Sequence, residues 1–255
     1  MPLGEHLREF RRRFILAGIG IIIGAVIGWY LYDDVFAALK APFDTLQERG
    51  QLAELNFSAI AGSFDVKLRV AAFIGFVLAS PWWIFQIWGF INPALTNKER
   101  RTALWFVAAA VPLFAGGIYT AWTALPRVVG FLTMFTPEGT RNLITAEVYL
   151  KFVLQLLLAF GFAYLMPLFM VVLSTMGVVK GRTWLKGWRW AVIIILVFSA
   201  AITPTVGEIS TMFLMAIPMA VLYLLAVGVS LLADRRIAKR RAKIDAELAG
   251  ESTEK

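Results

Sequence analysis

Residues 11–34 read RRRFILAGIGIIIGAVIGWYLYDD, and this stretch decides the class of fold. From Phe14 to Tyr32 no side chain is charged, and a helix needs about 20 such residues to cross a bilayer core of about 30 Å. Arg11, Arg12 and Arg13 stand before the run, Trp29, Tyr30 and Tyr32 close it, and Asp33 and Asp34 follow. A cleavable signal peptide has a shorter apolar core and a small-residue cleavage site, so the run is expected to be kept as a membrane helix with an aromatic belt.

Five more apolar runs follow. One extends from about Val70 to Ile91 and contains Pro81, which predicts a kink and a freed carbonyl one turn earlier. Two others, about Ala103–Leu125 and Phe152–Met176, hold Pro112 and Pro167 and are expected to bend as well. Trp190–Thr205 and Thr211–Leu232 complete the set, the fifth run being short for a bilayer. The expectation is an all-α membrane protein of six transmembrane helices, with kinked helices and short helices at the fifth and sixth positions.

Composition agrees. Of 255 residues, 59% are apolar and 16% charged, whereas soluble domains stand near one half and one quarter. Cysteine is absent, which removes disulfides, thiolate metal sites and cysteine nucleophiles. His6 is the single histidine and precedes the first apolar run, so neither a membrane-embedded Ser-His-Asp triad nor a multi-histidine zinc site is available. No metal and no cofactor is implied.

Charge placement supplies an independent test of topology. Segments before the first run, between the second and third, between the fourth and fifth and after the sixth hold 18 of the 25 basic residues; the alternate segments hold nine of the 17 acidic ones. The net charge of +8 thus divides into +10 on one face and −2 on the other. The positive-inside rule puts both termini in the cytoplasm. Topology accounts for the whole charge, and no nucleic-acid partner is called for.

Outside the runs, Asp33–Arg69 and Pro126–Lys151 are long enough to fold and are expected to form short amphipathic helices over the periplasmic face, the first broken at Pro42. Residues 1–233 read as the membrane domain and 234–255 as a charged cytoplasmic tail, either a charged helix or a disordered extension. No internal repeat is visible, which argues against a transporter built of inverted halves. A channel or transporter should also carry ionisable groups at mid-membrane, and beyond Lys151 and Gln155 near the start of the fourth run there are almost none. An intramembrane enzyme lacks its histidine, cysteine or acidic pair.

The polar groups that call for a reason lie at the cytoplasmic ends. Glu9 sits among Arg8, Arg11, Arg12 and Arg13, and Glu99 between Lys98 and Arg100. Each carboxylate could form an internal salt bridge that relieves local repulsion, or could receive guanidinium groups of a ligand, for which bidentate geometry favours arginine over lysine. Spacing alone does not choose between these, nor between a receptor and a purely structural assembly subunit.

The stretch His6-Leu7-Arg8-Glu9-Phe10-Arg11-Arg12-Arg13 resembles the H-L-x-E-L-R-x-R opening of the TatC family, the central subunit of the twin-arginine protein translocase. Residues 80–95, SPWWIFQIWGFINPAL, continuing to Lys98-Glu99-Arg100-Arg101, are similar to that family's most specific signature. Further likenesses are Phe160-Gly161-Phe162-Ala163 with Pro167, Thr203-Pro204, and Ala216-Ile217-Pro218 with Leu222-Tyr223. The resemblance runs from about residue 6 to 233, in order and spacing.

It implies a receptor and scaffold rather than an enzyme: a cytoplasmic-face site that binds the paired arginines of signal peptides on folded cargo, driven onward by the proton-motive force. Glu9 and Glu99 would be its acidic positions, with Arg11 and Phe90 tied to the same site and Pro42 matching a periplasmic-loop proline. The implied partners are TatA-like and TatB-like single-span subunits, twin-arginine signal peptides, the lipid bilayer and further copies of the chain; the implied location is the bacterial cytoplasmic membrane. Three positions depart from the family pattern. Leu165, beside Tyr164, stands where a helix glutamate is usual; Glu208 supplies the carboxylate of a loop that usually has aspartate, with Met212 for a following glutamine; and Leu224 replaces a glutamate common after the tyrosine. Gln155 and Glu208 are accordingly candidates for structural or partner contacts.

Overall fold

The computed structural model describes residues 3–48, 53–57, 60–91, 97–133, 142–175, 179, 181–202 and 209–253. The first apolar run lies in α1 (Leu3–Tyr30), which is followed by α2 (Tyr32–Glu48), β1 (Ala53–Asn56), α3 (Gly62–Leu78), α4 (Ser80–Ile91) and α5 (Asn97–Thr133). Then come β2 (Asn142–Thr145), α6 (Ala146–Thr175), α7 (Gly181–Lys186), α8 (Trp188–Ile202) and α9 (Ile209–Thr253).

Among the described residues, α1, α5, α6 and α9 are long and apolar enough to cross a bilayer, and the pair α3–α4 makes a fifth crossing if its two parts are one span. The fifth apolar run is accounted for by α8, whose 15 residues rise only about 22 Å at 1.5 Å each. In each apolar run the described residues are helical; the fifth is short as expected, but the sixth is not, because its apolar stretch runs on without a break into the charged tail as the 45-residue α9.

The kink expected at Pro81 is a break of 58° between α3 and α4. It falls at Ala79, so Pro81 enters the first turn of α4, where a missing N–H costs nothing. Indole groups tie the break down: Trp83 Nε1 donates to the Phe76 carbonyl at 3.0 Å, and Trp82 Nε1 to the Leu16 carbonyl of α1 at 2.8 Å. Trp83 also meets Phe76 and Phe114 at ring distances of 5.0 and 5.4 Å, and Leu165 is buried in the same cluster.

The most extensive helix pairs are α1 with α3, α5 with α6 and α6 with α9. α6 is the central helix: 44% of its apolar window is buried, against 11% for α1, whose outer side is left to lipid. Backbone contact sets the α1–α3 spacing. A Cβ on Gly24 would stand 2.6 Å from the Gly75 carbonyl oxygen, and one on Gly28 2.5 Å from that of Ala71, so only glycine permits the approach.

Three expectations for the loops need correction. Residues of the first long loop form α2, which continues through Pro42 instead of breaking there; a proline inside a helix removes one backbone bond, and here the turns on either side carry the helix past it. The side chain of Pro42 lies outside the described residues. α5 runs past Leu125 and through Pro126 to Thr133, where short separate helices were expected. Both loops, finally, contribute a strand: β1 and β2 pair in parallel, Ala53 opposite Asn142 through Asn56 opposite Thr145. Four-residue strands carry no helical or alternating pattern long enough to read, so only their meeting in space creates them. At the end of the chain α9 is continuous across residue 233 and carries the charged tail as helix to Thr253.

Candidate functional site

The first turns of α1 lie against the C-terminal half of α4, and the residues singled out in the sequence meet there. Glu9 is four residues before Arg13, one helical turn, and Arg13 Nε donates to Glu9 Oε1 at 2.7 Å. The internal salt bridge that the sequence allowed is thus formed. Both side chains keep more than a quarter of their surface in contact with solvent, so the pair remains open to a ligand.

Arg13 reaches further. Its Nη1 donates to Oε1 of Gln86 on α4 at 3.2 Å, and Gln86 is buried to 3% exposure. One turn along the same face of α4 is Gly89, where a Cβ would overlap the Arg13 guanidinium. Phe90 comes next and completes an aromatic group with α1: its ring lies 4.5 Å from that of His6 and 5.4 Å, edge-on, from that of Phe10. Phe10 and Leu7 are at least half exposed, which gives the carboxylate an apolar neighbourhood on the outer side. Arg11 is exposed on the same turn of α1 as Arg12.

Glu99 falls in the first turn of α5, eight residues beyond the end of α4; its side chain lies outside the described residues. Glu208 lies outside them altogether. The structure therefore brings Glu9 and Phe90 to the same α1–α4 contact, Glu9 through Arg13 and Gln86 and Phe90 through His6 and Phe10, with Arg11 two residues beyond Glu9 on α1. Gln155 is on α6, and its Oε1 is buried with no hydrogen-bond partner among the described residues. Leu165 does not continue an exposed polar stripe with it, being packed with Trp83 and Phe114. Tyr164 instead donates to Thr120 Oγ1 at 2.9 Å. Leu224 is 62% exposed.

Arg13, Gln86 and Gly89 were not singled out from the sequence. A signal for one of them existed, since Gln86 is the only strongly polar side chain between Trp82 and Ile91 and such a group in an apolar helix needs a partner.

At the opposite end of α1 the polar contacts are of another kind. Lys67 Nζ stands 5.0 Å from the Trp29 ring and 4.9 Å from that of Tyr32, and Arg69 Nε bonds Asp65 Oδ2 at 2.6 Å on the exposed side of α3.

Comparison with known proteins gives a consistent result. The family model described as Sec-independent protein translocase protein (TatC) matches residues 5–218. The protein of that name from Xylanimonas cellulosilytica is 41% identical over 244 residues, covering 95% of this chain and 88% of the relative. The one from Aquifex aeolicus is 33% identical over 239 residues, covering 92% and 97%. A crystal structure of the twin arginine translocase receptor TatC superposes with a TM-score of 0.80 at 32% identity, covering 89% of this chain and 99% of that one. A match that spans six apolar runs, the break at Ala79 and the Glu9–Phe90 corner in one order leaves a single conclusion: the chain belongs to the TatC family of Sec-independent protein translocase proteins.

Proposed function

We propose that this membrane transport protein is the twin-arginine signal-peptide receptor and assembly scaffold of its translocase, exporting folded proteins across the bacterial cytoplasmic membrane at the expense of the proton-motive force. The observation that carries the reading is the corner where Glu9 stands with Phe90, Phe10 and His6 at one membrane end. A carboxylate next to exposed apolar rings suits a ligand that has guanidinium groups followed by an apolar stretch. Glu99 supplies the second acceptor from the first turn of α5, and Arg11 flanks the entrance. A charge-assisted hydrogen bond is worth roughly 1.5 to 3 kcal/mol, enough for two carboxylates to separate paired arginines from paired lysines.

In this reading six crossings place both termini in the cytoplasm, as the basic flanks require, with 1–233 as the translocase body and 234–255 as a cytoplasmic extension of α9. TatA-like and TatB-like single-span subunits and further copies of the chain dock on the body. Gln155, whose buried oxygen lacks a donor, Pro42 and Glu208 are contact or structural positions for them. The short α8 thins the bilayer beside it and lowers the barrier for cargo; a normal hydrocarbon thickness in lipid-depth measurements next to α8 would count against this.

The deciding experiment is cross-linking of a twin-arginine signal peptide to the protein in membranes, with Glu9→Ala and Glu99→Ala singly and together. Each single variant is expected to weaken the adduct and the pair to abolish it. Undiminished cross-linking in the double variant would overturn the assigned site.

A further inference from the structure

The Glu9 carboxylate has a support that belongs to another helix. Arg13 holds one of its oxygens, Oε1, through Nε; among the described residues no donor reaches Oε2. The guanidinium that does this is itself located by α4. Gln86 accepts from Nη1 at 3.2 Å, and the missing side chain of Gly89 leaves the recess in which the guanidinium lies; the three heavy atoms nearest to a Cβ there are all from Arg13. Gln86 and Gly89 are three residues apart and so share a face of α4. Because Gln86 is buried, its carboxamide oxygen needs a donor whether or not Glu9 is present, and Arg13 is therefore seated independently of the carboxylate it holds.

We propose that Gln86 and Gly89 form a seat for Arg13, and that Arg13 is a positioning residue which fixes the rotation of Glu9 so that the free carboxylate oxygen faces an incoming arginine. The inference rests on the receptor reading above. An unsupported glutamate at a helix end samples several rotamers and loses entropy when a ligand arrives; one clamped through Oε1 has lost it already. The same turn of α4 carries Phe90, so the seat also sets the distance between the carboxylate and the ring on which the apolar part of the signal would rest. A fixed acceptor rewards the fork of a guanidinium more than the point charge of an ammonium, so the seat contributes to the preference for arginine over lysine.

The test uses the full chain in lipid nanodiscs and a fluorescent peptide with an arginine pair followed by an apolar stretch, together with its dilysine counterpart. Gln86→Leu removes the acceptor; Gly89→Ala pushes the guanidinium out of its recess and meets only the movable end of a side chain, so the fold is retained. Each is expected to weaken the arginine peptide about tenfold and to lower the arginine-to-lysine preference, while Gln86→Glu, which keeps an acceptor, restores both. In a Glu9→Gln background, Gln86→Leu should change nothing further, because it acts through that carboxylate. If Glu9→Gln weakens binding but Gly89→Ala and Gln86→Leu leave affinity and preference as they were, the seat is overturned and the receptor site stands. An equal loss from Gln86→Leu with and without the Glu9 carboxylate also overturns it, as a packing effect. Full binding by Glu9→Gln would remove the receptor site and the seat together.

Discussion

One helix, α1, meets its neighbours in two different ways. Toward α3 it presents Gly24 and Gly28, and the backbones touch at Gly75 and Ala71 with no side chain between them. Toward α4 it presents Glu9, Phe10 and Arg13, and contact is made through the ends of side chains, at Gln86, Gly89 and Phe90. The first interface is close, backbone against backbone; the second is partly solvated and keeps a charged oxygen that no donor reaches among the described residues. A backbone seam holds two helices at one separation because any added atom meets a carbonyl, whereas a side-chain interface can exchange partners without moving the helices. The seam locates the helix and the polar end is left to bind.

The largest effect expected from separating the two is at the seam. Gly24→Val forces a Cβ and its methyl groups onto the Gly75 carbonyl and should destabilise the protein by about 3 kcal/mol, with loss of folded material in thermal-melt and detergent-solubility assays. At the polar end, Glu9→Ala should leave the melting temperature within a degree or two but weaken twin-arginine peptide binding about ten- to a hundredfold, the equivalent of one charge-assisted hydrogen bond, in a fluorescence titration. A binding loss from Gly24→Val at full stability would erase the distinction. Smaller is the effect of Trp83→Phe, which keeps the ring and deletes the N–H bonded to the Phe76 carbonyl; about 1 kcal/mol of stability should go, read by chemical denaturation of the helical signal. Least of all is Arg69→Ala at the far end of α3: its pair with Asp65 is about half exposed, and a change under about 0.5 kcal/mol is expected by the same measurement.

Legibility in the sequence followed the length of each pattern. The run 14–32 and its five successors are long, so the helices were readable, as was the disruption at Pro81, although its place at Ala79 was not. Pro42 and Pro126 misled, because proline predicts a break and each lies within a helix that continues. Strands β1 and β2 left no trace, being four residues each and dependent on one another. At the site, Glu9 stood out as a carboxylate among arginines and Phe90 came from motif resemblance, while Gln86 was visible only as a lone amide in an apolar helix and Arg13 as one of three adjacent arginines. Nothing in a run of identical residues tells which one turns inward; that depends on where α4 places an acceptor and a recess.

What the sequence by itself determined is the solvent and the segments: 59% apolar residues gathered in six runs flanked by asymmetric charge can satisfy their backbone in lipid only as helices. What tertiary structure alone decided is partnership. Gly24 finds Gly75, Arg13 finds Gln86, and Ala53 finds Asn142 only once the helices are packed. Hydrophobic burial acts on averages over many residues and is therefore written along the chain. A close approach or a hydrogen bond needs two particular atoms within a few ångströms, and residues 73 positions apart acquire that relation only from the fold.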